Sequence, residues 1–268
     1  MRINIKEYVA ERKKAIAAEV AACKGKKPSL LILQVGDNKA SNAYISGKMK
    51  DCAEVGIQTT LYRVNHNDTN ENYELLRGYL KNNGANYNGI ILQEPCGLTE
   101  GQRGALLNLI ADWQDVDGFK PNSWHWPCTP QGILNILENL YGEDGGNVIT
   151  VVGRGALVGK PLIPLLVDEG WTVLCANSRT PDLKALTSMS DVVVSATGCR
   201  NLITRDMLKD GAFVIDAGIT FDENGKMCGD CDKSMYDDET IQITTVPGGV
   251  GLTTRLELLE NIMESFRI

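Results

Sequence analysis

The sequence predicts an α/β protein of two domains around a cleft, with a parallel sheet in each domain. Short apolar, β-branched segments alternate with amphipathic segments, which is the pattern of parallel βαβ units. The segment Asp115–Pro130 is rich in Pro, Asp and aromatic residues and has no helical or strand period, as is typical of a domain boundary. The 268 residues suffice for two such domains. We place the first domain at residues 1–121 plus 252–268 and the second at residues 122–251.

The first domain is predicted to alternate helices and strands from its N-terminus. Ile5–Cys23 has apolar residues at helical spacing, and the apolar run Ser29–Val35 ends at a glycine, as a buried strand does. Asp68 and Thr99 are residue types that cap helices. The other elements expected here are a helix from Ser41 to Val55, strand Gln58–Val64, a helix from Asn70 to Asn82, strand Gly89–Gln93 and a helix from Thr99 to Ala111.

The second domain is predicted to contain five strands. Its first helix is Gln131–Leu140, and an amphipathic stretch, Leu162–Gly170, separates the first two strands. The last helix, Thr254–Phe266, is amphipathic, and we expect it to pack on the first domain. The strands expected are Val148–Val152, Trp171–Ala176, Asp191–Ala196, Ala212–Asp216 and Gln242–Val246.

Strand Val148–Val152 runs directly into a glycine-rich turn, Gly153–Gly159, after which a helix can begin. Glycines let the backbone turn tightly and bring N–H groups close to an anion, and the helix dipole favours the same charge. The usual anion is a dinucleotide pyrophosphate, which predicts a Rossmann-like, doubly wound domain. The spacing G-x-G-x-x-x-G is one residue longer than the common fingerprint, so a structural turn without a ligand is the alternative.

The end of the next strand indicates which dinucleotide would bind. An NAD site usually carries an acidic residue there for the ribose hydroxyls, but this chain has Asn177, Ser178, Arg179 and Thr180. A hydroxyl and a guanidinium suit the 2′-phosphate of NADP, and Arg154 could reach the same group. The alternative for Ser178 and Arg179 is an ordinary solvated loop.

Composition excludes several other classes of protein. Hydrophobic content of 43%, charged content of 23% and a net charge of -7 fit a globular protein and disfavour a nucleic-acid or acidic-membrane surface role. The N-terminus has no apolar signal segment, so we expect a cytoplasmic location. Among eight cysteines only Cys228 and Cys231 have metal-type spacing. Without a second ligand pair we interpret them as two thiols in a loop and predict no metal, with zinc or redox chemistry as the alternative.

In the first domain, residues near the carboxyl ends of the strands are the candidates for chemistry. Tyr44 and Lys48 lie four apart, so they share one helix face. Gln93 closes the third strand, and Asp117 lies in the boundary segment. Each has an ordinary structural explanation, but together they place a ring, an amine, an amide and a carboxylate around one cleft.

Eight motifs stand out along the chain: VGDNKASNAYISGKMK (Val35–Lys50), GIILQEP (Gly89–Pro95), DVDGFKPN (Asp115–Asn122), PCTPQG (Pro127–Gly132), VVGRGALVGKP (Val151–Pro161), NSRT (Asn177–Thr180), VIDAGI (Val214–Ile219) and VPGGVG (Val246–Gly251). In these motifs and in their order the chain resembles, over essentially its whole length, the bifunctional methylenetetrahydrofolate dehydrogenase/methenyltetrahydrofolate cyclohydrolase family. Ser41, Tyr44 and Lys48 in the first motif carry the family's Ser, Tyr and Lys pattern.

The resemblance implies an enzyme of one-carbon metabolism that oxidises 5,10-methylenetetrahydrofolate with NADP, NAD being possible. It then hydrolyses the methenyl product to 10-formyltetrahydrofolate in the same cleft. Lys48 would be the catalytic amine, Gln93 its hydrogen-bonded partner, Tyr44 the ring stacked on the folate, and Asp117 the carboxylate on the pterin's amino-pyrimidine edge. The family also implies a homodimer formed through the nucleotide domain, without nucleic-acid or membrane partners.

Further binding residues follow from the same resemblance. The residues expected to contact the folate substrate are Ser41, Tyr44, Gln93, Asp117, Pro247, Gly248 and Gly249. The residues expected to contact the cofactor are Gly153, Arg154, Gly155, Val158, Gly159, Ser178, Arg179, Thr197, Gly198, Gly218 and Ile219.

The chain departs from the family pattern at four places near these sites. Gly155 replaces a usual Ser, Asn177 a usual His, Glu94 an apolar residue of the folate pocket, and Leu252 a usual Pro. These changes leave two alternatives open: an enzyme that keeps only one of the two activities, or a non-catalytic nucleotide- or folate-binding regulator.

Overall fold

The protein, described by a computed structural model over residues 1–142 and 147–268, has the predicted two-domain α/β class with parallel sheets. It divides into two compact units. The three-stranded unit comprises residues 11–128 and 255–268, and the five-stranded unit comprises residues 1–10 and 129–254. These limits differ from the domain limits expected from the sequence, chiefly in the first ten residues. The expected domains stay a prediction, and the second of them includes residues 143–146, outside the described part.

The three-stranded unit is built on a parallel sheet of order β2-β1-β3. Its central strand β1 is buried from Ser29 to Gln34, which explains the unbroken apolar run, because helices cover both faces of such sheets. Asp68 caps α3 by accepting from the Asn70 N–H. The elements of this part of the chain are α1 (Ile5–Ala22), β1 (Ser29–Val35), α2 (Lys39–Val55), β2 (Gln58–Val64), α3 (Thr69–Asn83), β3 (Gly89–Leu92) and α4 (Glu100–Leu107).

The remaining elements include those of the five-stranded unit, whose parallel sheet has the order β10-β7-β6-β4-β5. A separate antiparallel pair is formed by β8 and β9. The elements are α5 (Cys128–Ile136), β4 (Val148–Val152), α6 (Gly159–Asp168), β5 (Thr172–Ala176), α7 (Leu183–Met189), β6 (Val192–Ser195), β7 (Phe213–Asp216), β8 (Thr220–Phe221), β9 (Met227–Cys228), β10 (Gln242–Ile243) and α8 (Val250–Phe266).

The five-stranded order places β4 between β5 and β6, so the chain winds outward from β4 in both directions. The residue pairs Val152–Ala176, Val152–Ser195 and Ser195–Asp216 lie side by side, and four strands therefore end at one edge. Ligands of doubly wound sheets bind beyond this edge, where the winding direction changes. The position of β4 thus puts its glycine-rich turn at the expected place.

Several element limits differ from the sequence predictions. Helix α8 begins at Val250 rather than Thr254, and the hydroxyls of Thr253 and Thr254 donate to the Val250 carbonyl within its first turn. Strand β10 ends at Ile243 instead of Val246. Helix α7 and the β8–β9 pair were missed because seven-residue and two-residue elements are too short for a periodic signal.

No helix in the described part of the chain is both long and apolar enough to cross a membrane.

Candidate functional site

In the three-stranded unit, Lys48 and Asp117 form a largely buried ion pair. The Lys48 amine Nζ lies 3.3 Å from both carboxylate oxygens of Asp117. Lys48 is 7% exposed, and the Asp117 side chain is 13% exposed. Removing two charges from water is costly unless they are paired. The pair therefore brings together the amine and the carboxylate that the sequence indicated.

The turn after Asp117 is fixed by a glycine. Gly118 has φ +74, and a Cβ there would lie 2.5 Å from the Trp126 carbonyl oxygen. No other residue type fits such a position without moving the chain. The Cys128 thiol donates to the Val116 carbonyl at 3.2 Å and lies beneath this turn. Both contacts hold the Asp117 carboxylate in place.

Helix α2 carries three of the expected residues on one face. Asn38 starts the helix by accepting from the Ser41 N–H at 3.1 Å. Ser41, Tyr44 and Lys48 follow at spacings of three and four, which place side chains on the same side of a helix. Burial raises the pKa of the Tyr44 phenol, and the charge of Arg255 offsets part of that rise.

Gln93 does not make the hydrogen bond that was expected. Its side-chain N–H donates to the Glu94 carbonyl at 2.8 Å, and within the described part of the chain its oxygen Oε1 has no hydrogen-bond partner. The prediction that Gln93 is bonded to Lys48 is therefore wrong for this structure, because the lysine is bonded to Asp117 and the amide is turned toward the backbone. The Ser41 hydroxyl is likewise buried without a partner. Buried polar groups of this kind are rare and are often completed by a ligand or a water.

A polar cluster at the end of β1 was not predicted. Arg63 on β2 donates from Nε to the Gln34 oxygen at 2.8 Å, and the Gln34 amide donates to Asn42 on α2 at 2.9 Å. Arg63 also contacts Asp37 at 3.2 Å. The cluster ties β1 and β2 to the first turn of α2 and so positions Ser41. Its signal in the sequence is a glutamine inside an otherwise apolar strand, where a buried polar residue requires partners.

Glu94, one of the departures from the family pattern, is paired within its own unit. Its oxygen Oε1 lies 2.5 Å from Arg103 Nε on α4, and Oε2 accepts from the Cys96 N–H at 3.0 Å. The two side chains are about equally exposed, at 25% and 26%. The carboxylate is therefore neutralised by a neighbouring helix, which the linear motif does not reveal.

In the five-stranded unit, two glycines of the turn after β4 are sterically required. A Cβ on Gly159 would lie 1.9 Å from the Gly153 carbonyl oxygen, and a Cβ on Gly153, which has φ +101, would lie 2.6 Å from the Ala196 oxygen. The turn is therefore folded tightly against the end of β6. Gly159 opens α6, with Val158 before it. Gly155 differs, since a Cβ there would meet nothing within 4 Å.

The segment after β5 forms a compact turn that presents two polar side chains to solvent. Asn177 Oδ1 accepts from the Arg179 N–H at 3.0 Å, and Thr180 Oγ1 accepts from the Asn177 N–H at 2.9 Å. The turn leaves Ser178 and Arg179 exposed. Asn177 thus has a structural role as an Asx-turn residue.

Arg154 lies at the same sheet edge as this turn, because the Gly153 N–H donates to the Ala176 carbonyl at 2.9 Å. Across residues 1–142 and 147–268, neither Arg154 nor Arg179 has an ion-pair partner. Within the described residues, the turns after two adjacent strands thus each carry a guanidinium group without an ion-pair partner.

The other expected cofactor residues follow β6 and β7. Thr197 and Gly198 continue from the end of β6, and Gly218 and Ile219 from the end of β7. Gly198 has φ +72, and its missing Cβ faces the Ile219 carbonyl at 3.5 Å, so the two segments lie side by side. Ile219 is 43% exposed, as a side chain available to a ligand should be.

The glycine segment after β10 was expected to contact the substrate. Gly248 has φ +103, and a Cβ on Gly249 would lie 2.5 Å from the Thr245 carbonyl. Pro247 is exposed, and its carbonyl accepts from the Thr245 hydroxyl at 3.1 Å. Leu252 follows in the first turn of α8. No contact of these residues tests their expected role, which stays a prediction.

Cys228 and Cys231 make different contacts and do not converge on a metal-binding cluster. The Cys228 sulfur lies 3.3 Å from Lys233 Nζ, while the Cys231 N–H donates to Asp216. Burial raises the pKa of the Cys231 thiol well above its ordinary value. Among the described residues no group of three His, Cys, Asp or Glu side chains has an arrangement that could hold a metal ion.

Two family models cover almost the whole chain. The model for the tetrahydrofolate dehydrogenase/cyclohydrolase catalytic domain matches residues 3–117, and the model for the NAD(P)-binding domain of the same family matches residues 127–268. The chain belongs to the tetrahydrofolate dehydrogenase/cyclohydrolase family. The predicted family and the predicted two-domain fold are therefore confirmed.

Relatives within the tetrahydrofolate dehydrogenase/cyclohydrolase family match at full length. A bifunctional protein FolD from Geobacillus thermodenitrificans is 39% identical over 264 residues, which is 94% of this chain and 92% of the relative. A FolD crystal structure from Campylobacter jejuni is 33% identical, with a TM-score of 0.90 over 100% of this chain and 98% of that chain. The Trypanosoma brucei enzyme, solved with NADP and an inhibitor, is 29% identical, with a TM-score of 0.89 over 100% of this chain and 97% of that chain.

Family membership also confirms the predicted class of enzyme and cofactor. The region matched by the catalytic-domain model includes Ser41, Tyr44, Lys48, Gln93 and Asp117. The region matched by the NAD(P)-binding-domain model includes the glycine-rich turn. A dehydrogenase with a nicotinamide dinucleotide domain, joined to a cyclohydrolase, is the class that both models describe.

Proposed function

We propose that this chain oxidises 5,10-methylenetetrahydrofolate with NADP and hydrolyses the methenyl product to 10-formyltetrahydrofolate. The observation that carries the proposal is the buried Lys48–Asp117 pair in a unit that also buries the unpaired Gln93 oxygen. An amine, a carboxylate and an unsatisfied acceptor are the groups needed to hold a pterin and to move one proton. Family membership supplies the reaction class.

The folate-binding residues are Asp117, Tyr44, Ser41 and Gln93. A carboxylate accepts two parallel N–H bonds, which fits the amino-pyrimidine edge of a pterin, and a half-buried tyrosine ring stacks on a flat heterocycle. The Ser41 hydroxyl and the Gln93 oxygen have no hydrogen-bond partner among the residues that the structure describes. Substrate groups that bond to them would remove the free-energy penalty of leaving them buried and unpaired.

Lys48 is the base of the hydrolysis. Adding water to the methenyl cation releases a proton, and a buried amine within hydrogen-bond reach of that water can take it. In the structure the Asp117 carboxylate accepts a hydrogen bond from the Lys48 amine at 3.3 Å. When the pterin's N–H donors occupy the Asp117 oxygens, the amine loses this partner and can bond to the attacking water instead.

The five-stranded unit fits NADP. The missing side chains at Gly153 and Gly159 let the backbone turn tightly before α6, where a pyrophosphate can approach the start of the helix. The exposed Arg154, Ser178 and Arg179 present two cations and a hydroxyl for the 2′-phosphate. When bound, NADP accepts the hydride that leaves the methylene carbon. The protein's part is to hold and orient the dinucleotide.

The departures from the family pattern do not favour loss of one activity. A Cβ at Gly155 would meet nothing within 4 Å, so replacing the usual Ser by Gly removes no packing contact from the described part of the chain. Asn177 makes a turn of its own, and Glu94 is paired with Arg103. The single-activity and regulator alternatives therefore have no supporting contact.

The cytoplasmic location and the homodimer are part of this proposal, supported by the resemblance. Sedimentation equilibrium of the purified chain checks the second. A mass of twice 29.3 kDa is expected, and a single-chain mass would contradict it.

The proposed function is tested by following NADP reduction and the methenyl compound together on purified protein. We expect NADPH to form from 5,10-methylenetetrahydrofolate and the methenyl signal to decay faster than it does without enzyme. NAD should support a slower reaction. An absence of NADPH together with rapid hydrolysis of added methenyl compound would show that only the cyclohydrolase is present.

A further inference from the structure

Two aspartates that the proposed mechanism does not use are fully buried behind the cofactor edge of the five-stranded unit. Asp216 ends β7, and Asp230 lies in the loop after β9; both are 0% exposed. In the described part of the chain no lysine or arginine pairs with either carboxylate. A buried carboxylate without a cation is costly, so these side chains must be held by hydrogen bonds.

Asp230 takes its bonds from the segment that follows β6. Its oxygen Oδ2 accepts from the Ser195 hydroxyl at 2.7 Å, from the Thr197 N–H at 2.7 Å and from the Thr197 hydroxyl at 2.9 Å. The Thr197 hydroxyl in turn accepts from the Cys199 N–H at 3.1 Å. The carboxylate therefore fixes both the backbone and the side chain of Thr197, at the start of the Thr197–Gly198 turn.

The other oxygen of Asp230 packs against the segment that follows β7. A Cβ on Gly218 would lie 2.1 Å from Asp230 Oδ1, so only glycine fits there. Over residues 1–142 and 147–268, Oδ1 has no hydrogen-bond partner. Asp216 complements this contact by accepting from the N–H groups of Gly218 and Asp230 at 3.0 Å and of Cys231 at 2.9 Å. Each carboxylate thus packs against a glycine beside the other, because a Cβ on Gly229 would lie 2.0 Å from Asp216 Oδ2.

We propose that Asp230 is a positioning residue of the cofactor site, which fixes the Thr197–Gly198 turn and the Gly218–Ile219 segment against each other. Its complete burial excludes contact with the cofactor, so it acts through Thr197 and Gly218. The inference rests on the proposed function, because it assigns those two segments to NADP. The positioning role of Asp230 also explains the short β8–β9 pair, which leads the chain to Asp230.

Three variants separate this role from a general loss of folding. Asp230→Ala removes all three hydrogen bonds to Oδ2. Asp230→Asn keeps the size and one acceptor oxygen, and Ser195→Ala removes one donor while leaving Thr197 bonded. Asp232→Asn is the matched control, since Asp232 lies two residues away and caps a separate short helix at Ser234.

The measurement is the dissociation constant for NADP by calorimetry, together with methenyl hydrolysis by each protein. We expect Asp230→Ala to weaken NADP binding about tenfold or more, because losing bonds to a buried charged group displaces the turn. Asp230→Asn and Ser195→Ala should have smaller effects, and Asp232→Asn none. Hydrolysis, which we assign to the other unit, should stay within about twofold of wild type, since it uses none of these bonds.

Two outcomes would overturn the inference. Unchanged NADP binding in Asp230→Ala and Asp230→Asn would show that the turn does not need the carboxylate. An equal loss of binding and hydrolysis in all three variants would show a purely structural role. If the wild-type protein itself fails to bind NADP, the proposed cofactor and the inference fail together, and that result is distinct from the other two.

Discussion

At the scale of single residues, charge and burial separate groups that bind from groups that stabilise. Arg154 and Arg179 are free cations on exposed turns, whereas Arg63 and Arg103 are bonded within the three-stranded unit. The same residue type therefore has different uses, which the contacts of each guanidinium distinguish. Sequence reasoning indicated Arg154 and Arg179 from their place after strand ends, but it could not find Arg63, whose partners come from two other elements.

Arg179→Ala is predicted to weaken NADP much more than NAD. The substitution removes a charge-assisted contact to the 2′-phosphate, which NAD lacks, so the expected loss for NADP is about 2 kcal/mol. The KM values for both cofactors check this. Lys184→Ala, which removes an exposed lysine paired with Asp206 at 2.8 Å, is the control. An equal loss for both cofactors would exclude Arg179 from 2′-phosphate recognition.

Asp191 is predicted to make stability depend on pH in the acid range. The hydrogen bond from Lys209, the Val148 N–H and the Lys209 charge lower its pKa below the ordinary value of 3.8. A lowered pKa in the folded state gives stability that is present above pH 3.8 and is lost as the pH falls through the lowered value. Asp191→Asn should therefore lower the free energy of unfolding by about 1 kcal/mol near neutral pH, a figure discounted for the partial exposure of the side chain. In urea unfolding, the difference in stability between Asp191→Asn and wild type should shrink toward strongly acidic pH. A difference that stays constant with pH would show that Asp191 does not have a lowered pKa.

At the scale of elements, the turn between β4 and α6 was the most predictable feature of the chain. Its glycines follow a buried strand, and the structure gives the steric reason: Gly159 packs on the Gly153 carbonyl. Helix α7 and the β8–β9 pair were not predictable, because elements of seven and two residues are too short to show a periodic pattern. Asp230 depends on that pair and was missed for the same reason.

Gly159→Ala is predicted to weaken NADP binding about tenfold or more, because the new Cβ would lie 1.9 Å from the Gly153 oxygen and must displace the turn. Gly78→Ala on α3 is the control, since a Cβ there meets nothing within 4 Å. Calorimetric titration with NADP measures both. Wild-type affinity in Gly159→Ala would mean that the turn does not hold the cofactor.

The Glu94–Arg103 pair is predicted to couple the end of β3 to α4. A double-mutant cycle with Glu94→Gln and Arg103→Gln should give a coupling free energy of about 1 kcal/mol in urea unfolding, because both groups are partly shielded from water. The exposed pair Arg200–Glu223, at 3.4 Å, should give a coupling near zero. Equal coupling in the two pairs would show that Glu94 is an ordinary surface charge.

At the scale of the whole molecule, the groups that we assign to hydrolysis and to cofactor binding lie in different units. The Lys48–Asp117 pair lies in the three-stranded unit, and the glycine-rich turn with its free cations lies in the five-stranded unit. The positions of most strands and the candidate residues could be predicted from the sequence, because buried runs and strand ends have local signals. The hydrogen-bond partner of Lys48 could not be predicted from the sequence, because Gln93 and Asp117 are both polar and only the fold decides which one reaches the amine.

The most direct test of this division is oxidation of 5,10-methylenetetrahydrofolate by a Lys48→Met variant, with NADPH and the methenyl compound followed together. Lys50→Met, an exposed lysine on the same helix, is the control. We predict that the Lys48 variant still reduces NADP while the methenyl compound accumulates, with hydrolysis reduced at least about 100-fold because its base is gone. Rapid hydrolysis by the Lys48 variant would show that Lys48 is not the base of the reaction.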